Sequence, residues 1–274
     1  MSTSSARNIE IDERYYVDTA ARTLKLLRAV AEIGEPSPLA LIVSRLGWSK
    51  PAVYRLVRTL ESVGALRLVE GKGYVLGPAL IALGHAAVRA TRLPEIARPH
   101  LQDLHRKLDE TVVLTVLDGD EVVYVDRIEA DKILIARTQV GSHLPAYATS
   151  TGQVLLAALS DDEVRGRVAG REFAALAPNT VQSVDELIDR LAEVRRKGYA
   201  INDEQLAIGH RAAAAPIRDH TGEVAAAISV SVPAARVSRR ELVSFATDAL
   251  IPAAHAISIG LGAQQGPGAS RDAY

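Results

Sequence analysis

Apolar residues recur at helical spacing through the first part of the chain. An amphipathic helix that begins at Asp18 is predicted by Leu24, Leu27 and Ala31, with Leu26, Val30 and Ile33 widening the stripe. The glycine- and proline-containing segment 34–38 ends this pattern. The first predicted element is therefore a helix whose apolar face must pack against another part of the protein.

Two more helices and a hairpin are predicted directly afterwards. Apolar spacing predicts a short helix over 39–46 and a longer one over 49–63. Ser49 in the N-cap position and Pro51 in the first turn favour a helix start there. A Gly/Lys turn between two short apolar runs predicts a β-hairpin over 66–76. Three helices followed by a hairpin are typical of a winged helix-turn-helix domain.

The remaining pattern predicts an α+β domain with a mostly antiparallel sheet, joined to the first domain by a helix. Predicted helices cover about 79–91, 94–108, 150–159, 184–197 and 238–259, and predicted strands cover 111–117, 121–125, 133–135, 199–202, 211–218 and 223–232. The resulting domain plan is a flexible arm (1–16), a winged helix-turn-helix domain (17–77), a linker helix region (78–96), an α+β domain (97–261) and a disordered tail (262–274).

The third helix has one apolar face and one basic face. At about 100° per residue, the apolar side carries Val53, Leu56, Val57, Leu60 and Val63. Arginine, serine, threonine and tyrosine occupy the other side and its margins, which suits base edges and phosphates in a major groove. The candidate DNA contacts are Ser49, Lys50, Pro51, Tyr54, Arg55, Arg58 and Thr59, with Arg22 on the first helix and Lys72 and Tyr74 on the wing.

An isolated helix with this pattern is more often an ordinary amphipathic helix with a solvated basic face. The short preceding helix, the turn at Gly47 and the wing favour DNA binding here. Arg22 also fits an unpaired surface arginine. We expect Trp48 to pack beside the turn rather than to stack on a base.

The net charge of −1 divides unevenly along the chain. Residues 1–96 hold 13 Lys/Arg and 9 Asp/Glu (+4), whereas residues 97–274 hold 19 and 24 (−5). A basic first part joined to an acidic second part indicates a module that faces nucleic acid, attached to one that does not.

Composition excludes several classes of protein. The chain has no cysteine, so disulfides and thiolate metal sites are excluded and a reducing cytoplasm is expected. The N-terminus lacks the apolar stretch of a signal peptide, and no run of about 18 apolar residues occurs, so no membrane association is expected. Apart from His100 and His105, which are five apart on a helix and fit surface or packing roles, the seven histidines show no metal-ligand spacing. No catalytic or cofactor motif is present, so neither a metal nor a cofactor is predicted.

The second domain contains one dense polar loop, 141–152, which continues into a predicted helix starting near Ser150. Backbone N–H groups at a helix N-terminus attract a carboxylate, and the hydroxyls of Thr149 and Thr151 would add to that attraction. Ser229 and Ser231 alternate with valines, so they share one face of a strand. Alternatively, the loop supplies only an N-cap and the serines face solvent.

Taken together, the motifs resemble the IclR family of bacterial transcriptional regulators over about residues 18–262. The similar segments are ARTLKLL from Ala21, WSKPAVYRLVRTLE from Trp48, YVLGP from Tyr74, ARPHL from Ala97, LPAYATSTG from Leu144 and GYAINDE from Gly198. The resemblance implies a winged helix, a linker helix and a GAF/PAS-like effector-binding domain. It also implies dimers through the DNA-binding part and often tetramers through the effector domains.

Within that family, LPAYATS and Ile208–Arg211 resemble the subgroup controlling protocatechuate, 4-hydroxybenzoate and β-ketoadipate catabolism. The family's effector contacts map onto Ser150, Thr151, Asn202, Ala212, Ser229 and Ser231. Asn202 stands in place of an aspartate and Ala212 in place of a cysteine, so an aromatic or other bulkier acid is favoured over small 2-oxo acids. His143, Tyr147 and Arg211 are the nearby groups expected to contact a ring or carboxylate.

The leading hypothesis is an effector-responsive transcription factor rather than an enzyme. Its expected partners are a pseudo-palindromic double-stranded operator, a small carboxylate effector and further copies of the chain in a dimer or dimer of dimers. A small-molecule enzyme fused to a DNA-binding head is the alternative, and a winged-helix module that binds protein is a third reading.

Overall fold

The computed structural model describes residues 16–90, 92–130 and 138–263. The chain folds as two compact units that divide between residues 91 and 92. The predicted strand at 133–135, the tail from 264 onward and all but the last residue of the predicted arm lie outside the described residues.

The described residues of the first unit form four helices and a two-stranded hairpin. Its elements are α1 (Asp18–Ile33), α2 (Leu39–Leu46), α3 (Lys50–Ser62), β1 (Leu66–Val69), β2 (Gly73–Leu76) and α4 (Pro78–Ala90). The strands pair antiparallel, with Leu66 opposite Leu76. Gly47 ends α2 at φ 65°, a left-handed conformation that glycine adopts without strain and that turns the chain from α2 into α3. The order of elements is that of a winged helix-turn-helix domain.

A small apolar core joins the helices to the hairpin. Leu26 and Val30 of α1 pack with Ile42, Val53 and Val57. Leu26 and Val30 of the predicted stripe turn inward, together with Ala29, whereas Leu24, also predicted in the stripe, is 63% exposed. Val63 is likewise 61% exposed, because α3 ends at Ser62 and the chain turns away there.

In residues 92–130 and 138–263, the second unit forms a six-stranded antiparallel sheet covered by helices on both faces. Its elements are α5 (Leu93–Leu108), β3 (Thr111–Asp118), β4 (Glu121–Ile128), β5 (His143–Pro145), α6 (Ser150–Ala157), α7 (Asp161–Arg167), α8 (Val184–Lys197), β6 (Ala200–Asp203), β7 (His210–Arg218), β8 (Val224–Pro233), α9 (Arg239–Phe245) and α10 (Ile251–Gly260). The strand order is β5-β4-β3-β8-β7-β6.

The two sheet faces have separate cores. Helices α5, α9 and α10 pack on one face, where alternate residues such as Leu114, Ala213 and Ile228 are buried. Helices α6 and α8 cover the other face, where Val113 and Ala227 are buried. All residues of α6 are buried, so this helix runs through the domain interior.

Three local features differ from the predicted pattern. Helix α7 and strand β5 form within segments predicted as loops. The predicted closing helix is interrupted by a π-helical turn over Ala246–Leu250. In the described part of the chain, Arg239–Gly260 is also the one helix long and apolar enough to cross a membrane by length and composition. Leu242, Leu250 and Ile257 bury its inner face in the sheet core, as in a core helix of a soluble domain.

Candidate functional site

Helix α3 presents the predicted polar face to solvent. Val53 and Val57 are fully buried, whereas Tyr54 is 49% exposed. The exposed residues of this face are Ser49, Lys50, Pro51, Tyr54, Arg55, Arg58 and Thr59. The arrangement leaves a ridge with a positive charge and several hydroxyls, which matches the donors that a major groove accepts.

Most of the contacts on this ridge are weak and easily exchanged. Arg58 forms an exposed ion pair with Glu61 at 2.7 Å, three residues further along α3. Exposed pairs of this kind contribute little to stability, so Arg58 can exchange Glu61 for phosphate or guanine at small cost. The Thr59 hydroxyl donates to the Arg55 carbonyl at 2.9 Å. Ser49 occupies the N-cap position without a capping bond from its side chain.

Arg22 is tied to the helix-turn-helix rather than standing alone. Its Nε lies 2.6 Å from Asp18 Oδ2. Its guanidinium also lies 5.5 Å from the centre of the Trp48 ring, a cation–π distance. Trp48 packs against the core beside the turn, as the sequence indicated. Arg22 therefore links α1 to the turn between α2 and α3.

The wing residues separate into one exposed and one buried side chain. Lys72 is exposed on the hairpin turn. Tyr74, predicted as a wing contact, is instead buried at 8% exposure in the apolar core. Its backbone exchanges two hydrogen bonds with Ser37, at 2.8 and 2.9 Å, and this pairing draws the ring inward.

In the second unit, the strand register collects the predicted polar residues on the face beneath α6. Thr111, Ser231, Ala212 and Asn202 lie opposite one another across four adjacent strands. Ser229 lies one row further along, opposite Val113 and Ala214. Ser229 is 3% exposed and faces the domain interior, whereas Ser231, on the same strand face, is half-buried.

The N-terminus of α6 carries unpaired donors in this interior. Thr149 caps the helix by accepting from the Gly152 N–H at 3.0 Å. Within the described part of the chain, the N–H groups of Ser150 and Thr151 have no hydrogen-bond acceptor. Both residues are only 3% exposed. Buried N–H groups at a helix start are the donors that hold an acid's carboxylate.

Asn202 holds this helix start in place. Its side-chain nitrogen donates to the Ala148 carbonyl at 2.6 Å, and its oxygen accepts from the Gln205 N–H at 3.0 Å. The amide is fully buried. Asn202 thereby fixes β6 against the segment that leads into α6, and Ala212 lies beside it with a side chain of a single methyl group.

Two predicted cations do not lie on this face. Arg211 is one residue from Ala212, so strand alternation turns it to the opposite side. There Arg211 Nε bonds Asp203 at 2.5 Å and its Nη1 bonds two backbone carbonyls. His143 pairs with Val123, also on the opposite side, and is exposed with Nε2 3.7 Å from Asp118. The expectation that either contacts a pocket-bound acid is wrong, because the register directs both away.

Tyr147 is a core residue whose hydroxyl is occupied. The side chain is 1% exposed, and its hydroxyl donates to the Ala174 carbonyl at 3.3 Å. Its ring centre lies 4.8 Å from that of Phe173. Burial raises the pKa of the phenol, so it is a neutral donor at physiological pH.

A further polar residue of the α6 face was not predicted. Arg127 lies opposite Val113, which lies opposite Ser229. A β-bulge in the β3–β4 pairing, between Leu114 and Thr115, decides this placement. Simple alternation along β4 would put Arg127 on the other face, so periodicity gave no signal for it.

The two units together define a class. A winged helix with an exposed basic recognition helix, joined to an α+β domain with buried donors at a helix start, is the architecture of a DNA-binding transcriptional regulator. Sequence profiles agree with this. The "IclR helix-turn-helix domain" matches residues 19–70, and "Bacterial transcriptional regulator IclR C-terminal" matches residues 85–259. The chain belongs to the IclR family of bacterial transcriptional regulators.

Its relatives are transcriptional regulators rather than enzymes. The HTH-type transcriptional regulator XynR of Escherichia coli is 32% identical, covering 84% of this chain and 91% of its own. The Pca regulon regulatory protein of Pseudomonas putida is 32% identical, covering 83% and 78%. An IclR homologue from Microbacterium hydrocarbonoxydans, solved with 4-hydroxybenzoate, superposes with a TM-score of 0.76 at 25% identity, covering 88% and 98%.

Proposed function

We propose that this regulator controls genes of aromatic-acid catabolism and senses a small carboxylate effector, with an aromatic acid favoured. The observation that carries the proposal is the α6 start, where buried N–H groups of Ser150 and Thr151 lack acceptors among the described residues. Ser229 and Ser231 add hydroxyls on the facing strand. The Pseudomonas relative named for the pca regulon and the Microbacterium homologue with 4-hydroxybenzoate support the aromatic class.

On DNA, we propose that a homodimer, or a dimer of dimers, places two copies of α3 in successive major grooves of a pseudo-palindromic operator. Residues 17–77 would form the DNA-binding domain, 78–96 the linker and 97–261 the effector domain. Effector binding then shifts the population of head orientations through the linker, which requires different effector affinities in the two states. Such a regulator works in the bacterial cytoplasm.

Ligand binding is tested by thermal shift of the full chain with benzoates and aliphatic acids. We expect aromatic acids to raise Tm, and Ser229→Leu to abolish the shift, because it replaces a buried hydroxyl beneath α6 with a larger apolar side chain. Ser244→Leu, at an exposed position on α9, is the matched control and keeps the shift. If the Tm shift persists in Ser229→Leu, the effector does not bind beneath α6.

The alternative of an enzyme fused to a DNA-binding head is tested on the same complexes. Any acid that raises Tm is incubated with the protein, and the mixture is then analysed by mass spectrometry. A regulator returns the acid unchanged, whereas product formation would support the enzyme.

A further inference from the structure

Arg127 is a buried cation whose charge the described residues balance only in part. Its side chain is 8% exposed. Its Nη1 donates to the carbonyl and hydroxyl of Thr138, and its Nη2 lies 3.2 Å from Glu129 Oε1. Its Nε is buried without a hydrogen-bond partner in the described part of the chain. The Glu129 side chain is 65% exposed, so water screens that pair and an additional anion would stabilise Arg127.

The β-bulge aims Arg127 beneath α6. Thr115 lies opposite Tyr124, but Leu114 lies opposite Asp126, so the bulged strand β4 carries one extra residue. As a result, Asp126 turns to the α5 face and Arg127 to the α6 face. Bulges commonly re-aim a side chain beside a functional site.

Arg127 and the α6 start stand at two ends of one surface. Arg127, Val113 and Ser229 are in register on three adjacent strands, which separates the outer two Cα atoms by roughly 10 Å. The segment leading into α6 is anchored beyond Ser229, over β6, by the bond from Asn202 to Ala148. Donors for an anion therefore lie on both sides of an apolar strip.

A second unsatisfied group lies on the same surface. Thr115 is fully buried, and its hydroxyl has no partner in the described residues. Tyr124 lies opposite Thr115 on this face, and burial raises the pKa of its phenol while the Arg127 charge lowers it. This end of the surface is thus polar, and its hydrogen-bonding capacity is incompletely used.

We propose that Arg127 forms a second anion-binding end of the effector site. The effector is then a rigid acid with an acceptor oxygen at each end, such as 4-hydroxybenzoate or benzene-1,4-dicarboxylate. The carboxylate binds the α6 start, and the opposite oxygen accepts from the Arg127 guanidinium. This inference rests on the proposed effector function.

Isothermal titration of the full chain with four para-substituted acids tests it. The probes are benzoate, 4-methylbenzoate, 4-hydroxybenzoate and benzene-1,4-dicarboxylate. We expect the last two to bind at least about tenfold more tightly than 4-methylbenzoate, which has similar shape but no acceptor. Arg127→Gln removes this preference, because the last two acids lose far more affinity than benzoate does. Arg127→Lys restores part of the preference because the charge remains without the planar fork.

Controls separate this role from a purely structural one. Arg218→Gln, at an exposed arginine at the far end of β7, keeps the preference. The proposal would be overturned if Arg127→Gln lowered the affinity for all four acids equally. It would also be overturned if the variant still preferred the two acids with a para acceptor. If that variant does not fold, the wild-type comparison of 4-methylbenzoate with 4-hydroxybenzoate decides. Failure of the wild type to bind any of the acids would refute the proposed aromatic effector itself, whereas equal binding of all four refutes only the role of Arg127.

Discussion

Replacing Arg55 and Arg58 together by alanine is expected to abolish specific operator retention while leaving the protein folded. Both side chains are exposed on α3, so their removal creates no cavity. A good bidentate contact to a base contributes about 1–3 kcal/mol of discrimination. Each single variant should thus lose about five- to 150-fold in specific affinity, since 1.4 kcal/mol corresponds to tenfold. A gel shift on an operator selected from random DNA by the wild type gives the measurement.

The control for this prediction lies in the other unit. Arg106 forms an exposed ion pair with Asp103 at the same i,i+3 spacing as Arg58 with Glu61. Arg106→Ala therefore removes the same kind of surface pair without touching α3, and we expect full retention. If the α3 double variant has a normal circular dichroism spectrum and still retains the operator, α3 is not the helix that binds the major groove.

Local sequence patterns predicted the helical framework well. The three helices, the hairpin and the long strands follow from periodicity, caps and turn glycines within a few residues. Gly47 and the Ser49–Pro51 helix start are sufficient to predict the turn into α3. Ser229 and Ser231 share a face because strand periodicity is two, and this holds whatever the neighbours are.

The local sequence does not determine which face of the sheet each side chain occupies. Arg211 and Ala212 are neighbours in β7, so alternation alone places them on opposite faces of the sheet. Which of the two faces lies beneath α6 depends on pairing between distant strands, which the local sequence does not specify. Arg127 depends on a bulge that forms only when β3 and β4 pair. Tyr74 is polar enough for a wing surface, but its backbone pairing with Ser37, 37 residues earlier, places the ring in the core.

Substituting Gly152 by alanine is expected to be the most damaging small change in the effector domain. A Cβ at this position would lie 2.2 Å from the Ala146 carbonyl oxygen, a backbone atom, so relief requires α6 to move. Overpacking of this kind costs about 1–3 kcal/mol and sometimes more. For a domain of this size, each kcal/mol lowers Tm by about 2–4 °C.

The same displacement is expected to weaken effector binding, because Gly152 lies in the first turn of α6 and its N–H holds the Thr149 cap. Gly166 of α7 provides the matched control, since it is also helical but a Cβ there meets nothing within 4 Å. Gly166→Ala should raise stability by up to about 1 kcal/mol, as alanine is the better helix former. Calorimetry of both variants, with and without 4-hydroxybenzoate, measures the two effects. A Gly152→Ala protein with unchanged Tm and an unchanged ligand shift would show that the close approach of α6 to Ala146 does not shape the site.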